Sequence, residues 1–97
     1  MKKRDLSKLK QACTLLRLLS HPVRLAVFCA LAEGEQNVTN LYKTLGVSQV
    51  VMSQHLAKLR DSGYLQVRRE GQKIYYRIAK KEVKALIEAL YGIYCKK

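Results

Sequence analysis

Gly46 and Gly63 confine the most constraining stretch of this chain to one short helix: Val47-Ser48-Gln49-Val50-Val51-Met52-Ser53-Gln54-His55-Leu56-Ala57-Lys58-Leu59-Arg60. A glycine just past the last periodic residue supplies the left-handed backbone that ends a helix, and Ser48 is a side chain that caps the start of one. Val47, Val51, Leu56 and Leu59 recur near helical spacing, which predicts a stripe turned into a core. Between them lie Ser48, Gln49, Ser53, Gln54 and His55, whose side chains both donate and accept hydrogen bonds. Lys58 and Arg60 follow. Hydroxyls and amides flanked by cations suit base edges read between two phosphate backbones, although the same residues also suit an ordinary solvated helix face.

The helix before it is also short. Asn37 is a capping residue for a helix carrying Val38, Leu41 and Leu45, which stops at Gly46. Two short helices joined around a glycine predict a helix-turn-helix. Upstream, Leu6, Leu9, Cys13, Leu16 and Leu19 step by three or four, so Lys3 to Leu19 reads as an amphipathic helix with Lys3, Lys10 and Arg17 on its other side. Ser20 is the expected cap of a second helix, His21 to Ala32, with Pro22 in its first turn. That helix is apolar nearly all round and should lie at the centre of the core. Glu33 to Gln36 reads as a turn. After Gly63 the period changes: Tyr64 to Arg69 and Lys73 to Ile78 are rich in β-formers around Glu70-Gly71-Gln72, which predicts a hairpin. Tyr75 and Tyr76 then take opposite faces. Lys80 to Tyr94 returns to helical spacing through Val83, Leu86, Ile87 and Leu90, and is expected to dock on the first helix within a protomer or across a dimer.

The resulting expectation is a single domain over residues 1–97, mainly α with a small β-hairpin, in the order α-α-α-α-β-β-α. A formal net charge of +12 on 97 residues favours a polyanionic partner, whether DNA, RNA or an acidic membrane surface. No run approaches the roughly 18 apolar residues of a membrane span. Polar residues break up the segment after the basic N-terminus, so no signal peptide is read and the cytoplasm is the expected location. The three cysteines, Cys13, Cys29 and Cys95, are odd in number and scattered, unlike a secreted disulfide framework. No phosphate-binding glycine loop, catalytic carboxylate pair or metal signature is present, which argues against an enzyme. Ser53 and His55, two apart on a helix, do not face each other.

Three segments, in order, resemble the ArsR/SmtB family of bacterial winged helix-turn-helix repressors. Leu18-Leu19-Ser20-His21-Pro22-Val23-Arg24-Leu25 is similar to its S-x-P-x-R-L opening. Ser53 through Leu65 is similar to its recognition-helix pattern S-x-H-L-x-x-L-x-x-x-G-L, and Arg68 through Tyr76 to its wing, R-x-G-[RQ]-x-x-x-Y. The resemblance covers about residues 9 to 95. It implies a homodimer held by the first and last helices, bound to an inverted-repeat operator in double-stranded DNA and released by an effector. DNA contacts then fall on Ser48, Gln49, Ser53, Gln54, His55 and Lys58, with Arg68, Arg69, Gln72 and Lys73 in the wing. Val50, Val51 and Met52 depart from the pattern: many relatives carry small or polar residues there, followed by Val. Val50 offers only apolar contact, such as to a thymine methyl.

Members of this family divide by effector site. The Cys-x-Cys pair of the metal and arsenic sensors is missing from the helix containing Leu41 to Leu45, and Lys81 to Lys97 contains neither His nor Asp. Two histidines, His21 and His55, are too few for a dedicated zinc site, so no metal and no cofactor is expected. Phe28-Cys29-Ala30 and Ile93-Tyr94-Cys95 resemble the persulfide-responsive, BigR-like branch, which bridges one cysteine at each of these places by a disulfide or polysulfide. The resemblance makes Cys29 and Cys95 redox-sensing thiols, with reactive sulfur species or an oxidant as effector. A plain disulfide requires Cα atoms about 4.4–6.8 Å apart, whereas inserted sulfur spans more. Two alternatives keep the fold: a soft metal or metalloid on the thiols, or a constitutive DNA-binding module with inert cysteines. Cys13, on the apolar stripe of the first helix, reads as packing or dimer interface.

Overall fold

The computed structural model describes residues 6–95; the basic Met1 to Arg4 segment, including the Lys3 start expected for the first helix, lies outside them. The elements are α1 (Leu6–Leu19), α2 (Pro22–Ala32), β1 (Gln36–Asn37), α3 (Val38–Leu45), α4 (Gln49–Asp61), β2 (Leu65–Glu70), β3 (Lys73–Ile78) and α5 (Lys81–Tyr94). The winged helix-turn-helix expected from the sequence is present, with one addition. The strand β1 pairs antiparallel with β3, extending the hairpin to a three-stranded sheet in the order β1-β3-β2. Its residues fall at the end of what reads as a turn. Two residues carry no period of their own, and their strand character exists only through Gln36 opposite Tyr76 and Asn37 opposite Tyr75.

Both glycine stops form as read. At the end of α3, Gly46 has φ 67°, and Val47 and Gly46 donate back to the carbonyls of Tyr42 and Lys43. At the end of α4, Gly63 has φ 84°, and Tyr64 and Gly63 donate to Leu59 and Arg60. These paired bonds satisfy carbonyls that a helix end leaves open, and the left-handed conformation they require is one that glycine adopts without a Cβ clash. The Gly46 turn holds α3 and α4 at a short separation, and the Gly63 turn leads from α4 into the wing.

The core gathers Val27, Phe28 and Leu31 of α2, Leu41 of α3, and Met52, Leu56 and Leu59 of α4. Leu18 and Leu19 of α1, Tyr64 just before the wing, Leu65 and Tyr76 of the wing, and Val83 and Ile87 of α5 complete it. The phase of α4 differs from expectation. Met52 is fully buried, whereas Val51 is 39% exposed. Met52, Leu56 and Leu59 form the tighter i, i+4, i+7 stripe on a helix that packs against α3 and the strand β2. The cap of α2 also differs: His21 takes the position assigned to Ser20, with its Nδ1 accepting from the Val23 N–H at 3.1 Å. Ser20 instead donates to the Arg17 carbonyl.

The chain bends by 103° between α1 and α2, and among the described residues no single helix is long and apolar enough to cross a membrane. Within the protomer α5 lies against α2 and β3 rather than along α1. Leu6, Leu9 and Leu16 of α1 and Tyr91, Ile93 and Tyr94 of α5 are consequently exposed, as is Cys13.

Candidate nucleic-acid interface and thiol site

On α4, the residues opposite Met52, Leu56 and Leu59 point away from the core. Val50, 68% exposed, and Gln54 occupy that outward strip, with Ser53 and Lys58 on its two shoulders. Gln49 and Ser53 turn toward the wing. There they line a groove of about 510 Å³ whose other walls include Arg60 of α4, Arg69, Gln72 and Lys73 of the hairpin, and Thr39 and Asn40 of α3. Five of the residues expected to meet DNA, namely Gln49, Ser53, Arg69, Gln72 and Lys73, are thus brought to one surface although they come from two separate segments. Thr39 and Asn40 line the groove without having been expected to meet DNA, and Arg60, expected as a flanking cation, joins them. The signal for the first two was the Asn37 cap, whose Oδ1 accepts from the Asn40 N–H at 2.8 Å and so presents the first turn of α3 beside the recognition helix.

Ser48 caps α4, its Oγ accepting from the Val51 N–H at 3.2 Å. The hydroxyl proton stays free to donate elsewhere. Two other expected contacts stand apart from the groove. Arg68 alternates to the far face of β2, where its Nη2 and Nε donate to the Glu35 carboxylate at 2.6 and 3.1 Å. Nη1 donates to Glu70, and the guanidinium lies 4.5 Å from the centre of the Tyr75 ring. Hydrogen bonding from Arg68 pulls the Glu35 carboxyl below its ordinary range. The charge on Arg68 is therefore largely answered within the protein, and of the two wing arginines Arg69 is the one that faces the groove.

His55 is half-buried and turned toward the start of α2, its ring centre 4.5 Å from that of His21. Burial lowers its pKa, and His21, Arg24 and Lys58 lower it further because each adds positive charge nearby. A histidine whose folded pKa lies below its unfolded value binds fewer protons folded than unfolded. Its contribution to stability is whole above the unfolded value of about 6.5 and is lost as pH falls through the folded value. Acidification from neutrality should therefore lower the urea midpoint of the native protein more than that of a His55→Gln variant. Equal pH dependence of the two midpoints would rule this out.

The second candidate region lies where α5 ends against α2. Cys29 is half-buried on α2 and Cys95 is exposed as the C-cap of α5, its N–H donating to the Tyr91 carbonyl at 2.9 Å. Both thiols are free and both line one shallow depression of about 490 Å³, together with Leu25, Ala30, Gln36 and Tyr91. A smaller cleft of about 300 Å³ opens on the other side of Cys29, between Ala32, Glu33, Ile87 and Glu88. Burial pushes the Cys29 thiol up, and the nearby Cys95 adds to this, so Cys29 stays protonated at neutral pH. Cys13, on the open face of α1, is not part of this region. Among the described residues no group of three or more His, Cys, Asp and Glu is placed to hold a metal ion.

Residues 21–67 match the family model described as bacterial regulatory protein, arsR family. The biofilm growth-associated repressor of Xylella fastidiosa is 41% identical over 96 residues, 98% of this chain and 84% of the relative. The transcriptional activator HlyU of Vibrio cholerae is 40% identical over 85 residues, 88% of this chain and 79% of the relative. Among solved structures, the transcriptional repressor BigR from Xylella fastidiosa superposes with a TM-score of 0.88 at 40% identity, covering 100% of both chains. These relatives are transcriptional regulators rather than enzymes.

Proposed function

This chain belongs to the arsR family of bacterial regulatory proteins, and from that premise we propose that it is a homodimeric repressor whose hold on operator DNA is released when reactive sulfur or an oxidant bridges Cys29 and Cys95. One observation carries the sensing half of this reading: the two thiols, one on the second helix and one at the end of the last, share the wall of a single depression. The DNA-binding half draws on the groove between α4 and the wing. Dimerisation draws on the exposed apolar residues of α1 and α5, which gain burial only against another chain.

Chemistry at the depression follows from the difference between the thiols. The thiolate is the nucleophile, so the protonated, half-buried Cys29 is slow to open the reaction, whereas Cys95 is accessible. An organic persulfide, R–S–SH, transfers its outer sulfur to Cys95, giving Cys95–S–SH and R–SH. Cys29 then loses its proton and attacks the inner sulfur of Cys95–S–SH, forming a disulfide and expelling hydrogen sulfide. If both cysteines are first converted to persulfides, one terminal sulfur attacks the inner sulfur of the other. That step yields a three-sulfur bridge and again releases hydrogen sulfide. Either bridge ties the end of α5 to α2. Because α5 also carries part of the exposed apolar face, the tie alters how two protomers meet. The separation of their recognition helices then no longer matches half-sites about 34 Å apart.

Treating the reduced protein with glutathione persulfide, then measuring intact mass and operator binding on the same sample, tests this reading. The expected result is loss of two hydrogens, with or without inserted sulfur, mapped to Cys29 and Cys95 and accompanied by release of the operator. Protein that is fully bridged yet binds DNA as tightly as reduced protein would refute it.

A further inference from the structure

We propose that β1 is the element through which a bridge between Cys29 and Cys95 reaches the DNA-facing surface, with Gln36 as its positioning residue. This rests on the dithiol reading above and adds the route that reading lacks.

Three consecutive residues join the parts that have to communicate. Gln36 Nε2 donates to the Ala30 carbonyl at 3.1 Å in a part-buried contact, gripping the last turn of α2 at the residue next to Cys29. Gln36 and Ala30 stand in the same wall of the depression as the two thiols. The backbone of Gln36 pairs with Tyr76 on β3, so the residue that holds the thiol helix is also a member of the wing sheet. Asn37 pairs with Tyr75 and caps α3 through Asn40, which places the first helix of the helix-turn-helix on the same strand. Glu35, just before, holds Arg68 of β2 by two hydrogen bonds. The floor of the DNA-facing groove includes Asn37 and Tyr76.

A strand of two residues has no slack. Two backbone pairs fix it to β3, and the Gln36 amide fixes it to α2. When a bridge draws the Cys29 turn toward the end of α5, the Ala30 carbonyl moves with it. Either the Gln36 hydrogen bond breaks, leaving a part-buried side-chain amide without its partner, or β1 follows and carries α3 and β3 along. A part-buried amide without its partner is disfavoured, so the linked motion is favoured over the broken bond. Apolar contacts of α2 slide without such a penalty, and its other part-buried side-chain link, Arg24 to the Leu18 carbonyl, leads to α1, so Gln36 is the polar link that leads to the wing.

The test compares the wild-type protein with Gln36→Met, which keeps the side-chain length without the amide, and with Glu35→Gln, an exposed change that weakens only the link to Arg68. Each is measured for bridging by mass, for operator affinity reduced and bridged, and for amide exchange at Tyr75 and Tyr76. Coupling between two sites of one protein is typically a factor of about 5–150. Wild-type release should fall in that range and be accompanied by changed exchange at Tyr75 and Tyr76. Gln36→Met should bridge fully and bind operator normally when reduced, but lose most of the release factor and show no change in exchange on bridging. Glu35→Gln should lose a smaller part of the factor. Should Gln36→Met fold poorly, undiminished release and exchange response in Glu35→Gln overturn the proposal. Full release by a well-folded Gln36→Met overturns it directly and leaves the dithiol reading standing. Wild-type protein that bridges without releasing DNA removes the dithiol reading, and this inference with it.

Discussion

A Cys29→Ser protein should bind its operator normally when reduced and fail to release it when treated with a persulfide donor. The wild-type release factor, in the range of about 5–150 for coupled sites, should fall to one. The reason lies in the division of labour between the thiols. Cys95 is exposed at the end of α5 and reacts with the donor whether or not its partner is present. In Cys29→Ser it should therefore still gain sulfur, visible by mass, while no bridge forms and the operator stays bound. Cys95→Ser removes the accessible thiol instead and leaves Cys29, whose burial keeps it protonated, to react slowly if at all. Because Cys95 is an exposed helix end, its replacement should change stability by no more than about 0.5 kcal/mol. Cys13→Ser, on the open face of α1, should behave as wild type with respect to release. A Cys29→Ser protein that leaves DNA on persulfide treatment would mean that charge or bulk at Cys95, rather than a bridge, is the signal.

The second large effect separates reading from holding. Gln54 projects from the outward strip of α4, opposite the buried stripe, and an amide in that place can pair with two atoms of one base edge. Gln54→Ala should lose about 1–3 kcal/mol of discrimination at one base pair, roughly fivefold to 150-fold, with little change on unrelated DNA. Arg69 lines the groove from the wing side and is the wing arginine not consumed by Glu35 and Glu70. Arg69→Ala should weaken binding to all sequences alike and reduce the slope of log affinity against log salt by about one, because one fewer counterion is released. By the same logic Arg68→Ala should alter the salt slope less than Arg69→Ala does. Opposite behaviour of Gln54 and Arg69 would reverse the roles of helix and wing.

The parts of the fold legible in the sequence are those decided within a few residues. Gly46 and Gly63 ended their helices because the left-handed turn is a property of the glycine itself. Ser48 and Asn37 capped theirs because the accepting oxygen reaches N–H groups three residues on. Errors arose where the answer depends on what lies opposite. Whether Val51 or Met52 turns inward is a matter of helix phase, and it was settled by the position of α3 and β2. Ser20 and His21 are both able to cap, and the packing of His21 against His55 chose between them. The strand β1 has no local signature at all, since it consists of two residues made extended by their partner.

The candidate sites divide in the same way. Composition and spacing alone identified a basic chain with a helix-turn-helix, a basic hairpin and a polar face on the recognition helix, while the family resemblance pointed to Cys29 and Cys95 among the three cysteines. Each of these depends on residue type or short-range period. Tertiary structure alone decided that Arg69 faces the groove while Arg68 is tied to Glu35, and that His55 turns inward. It also decided that Cys29 and Cys95 line one depression between α2 and α5, and that Gln36, in the same wall, pairs with β3 of the wing. Those outcomes are contacts between residues far apart in the chain. They are fixed by how the helices and sheet pack on one core, which no local spacing encodes.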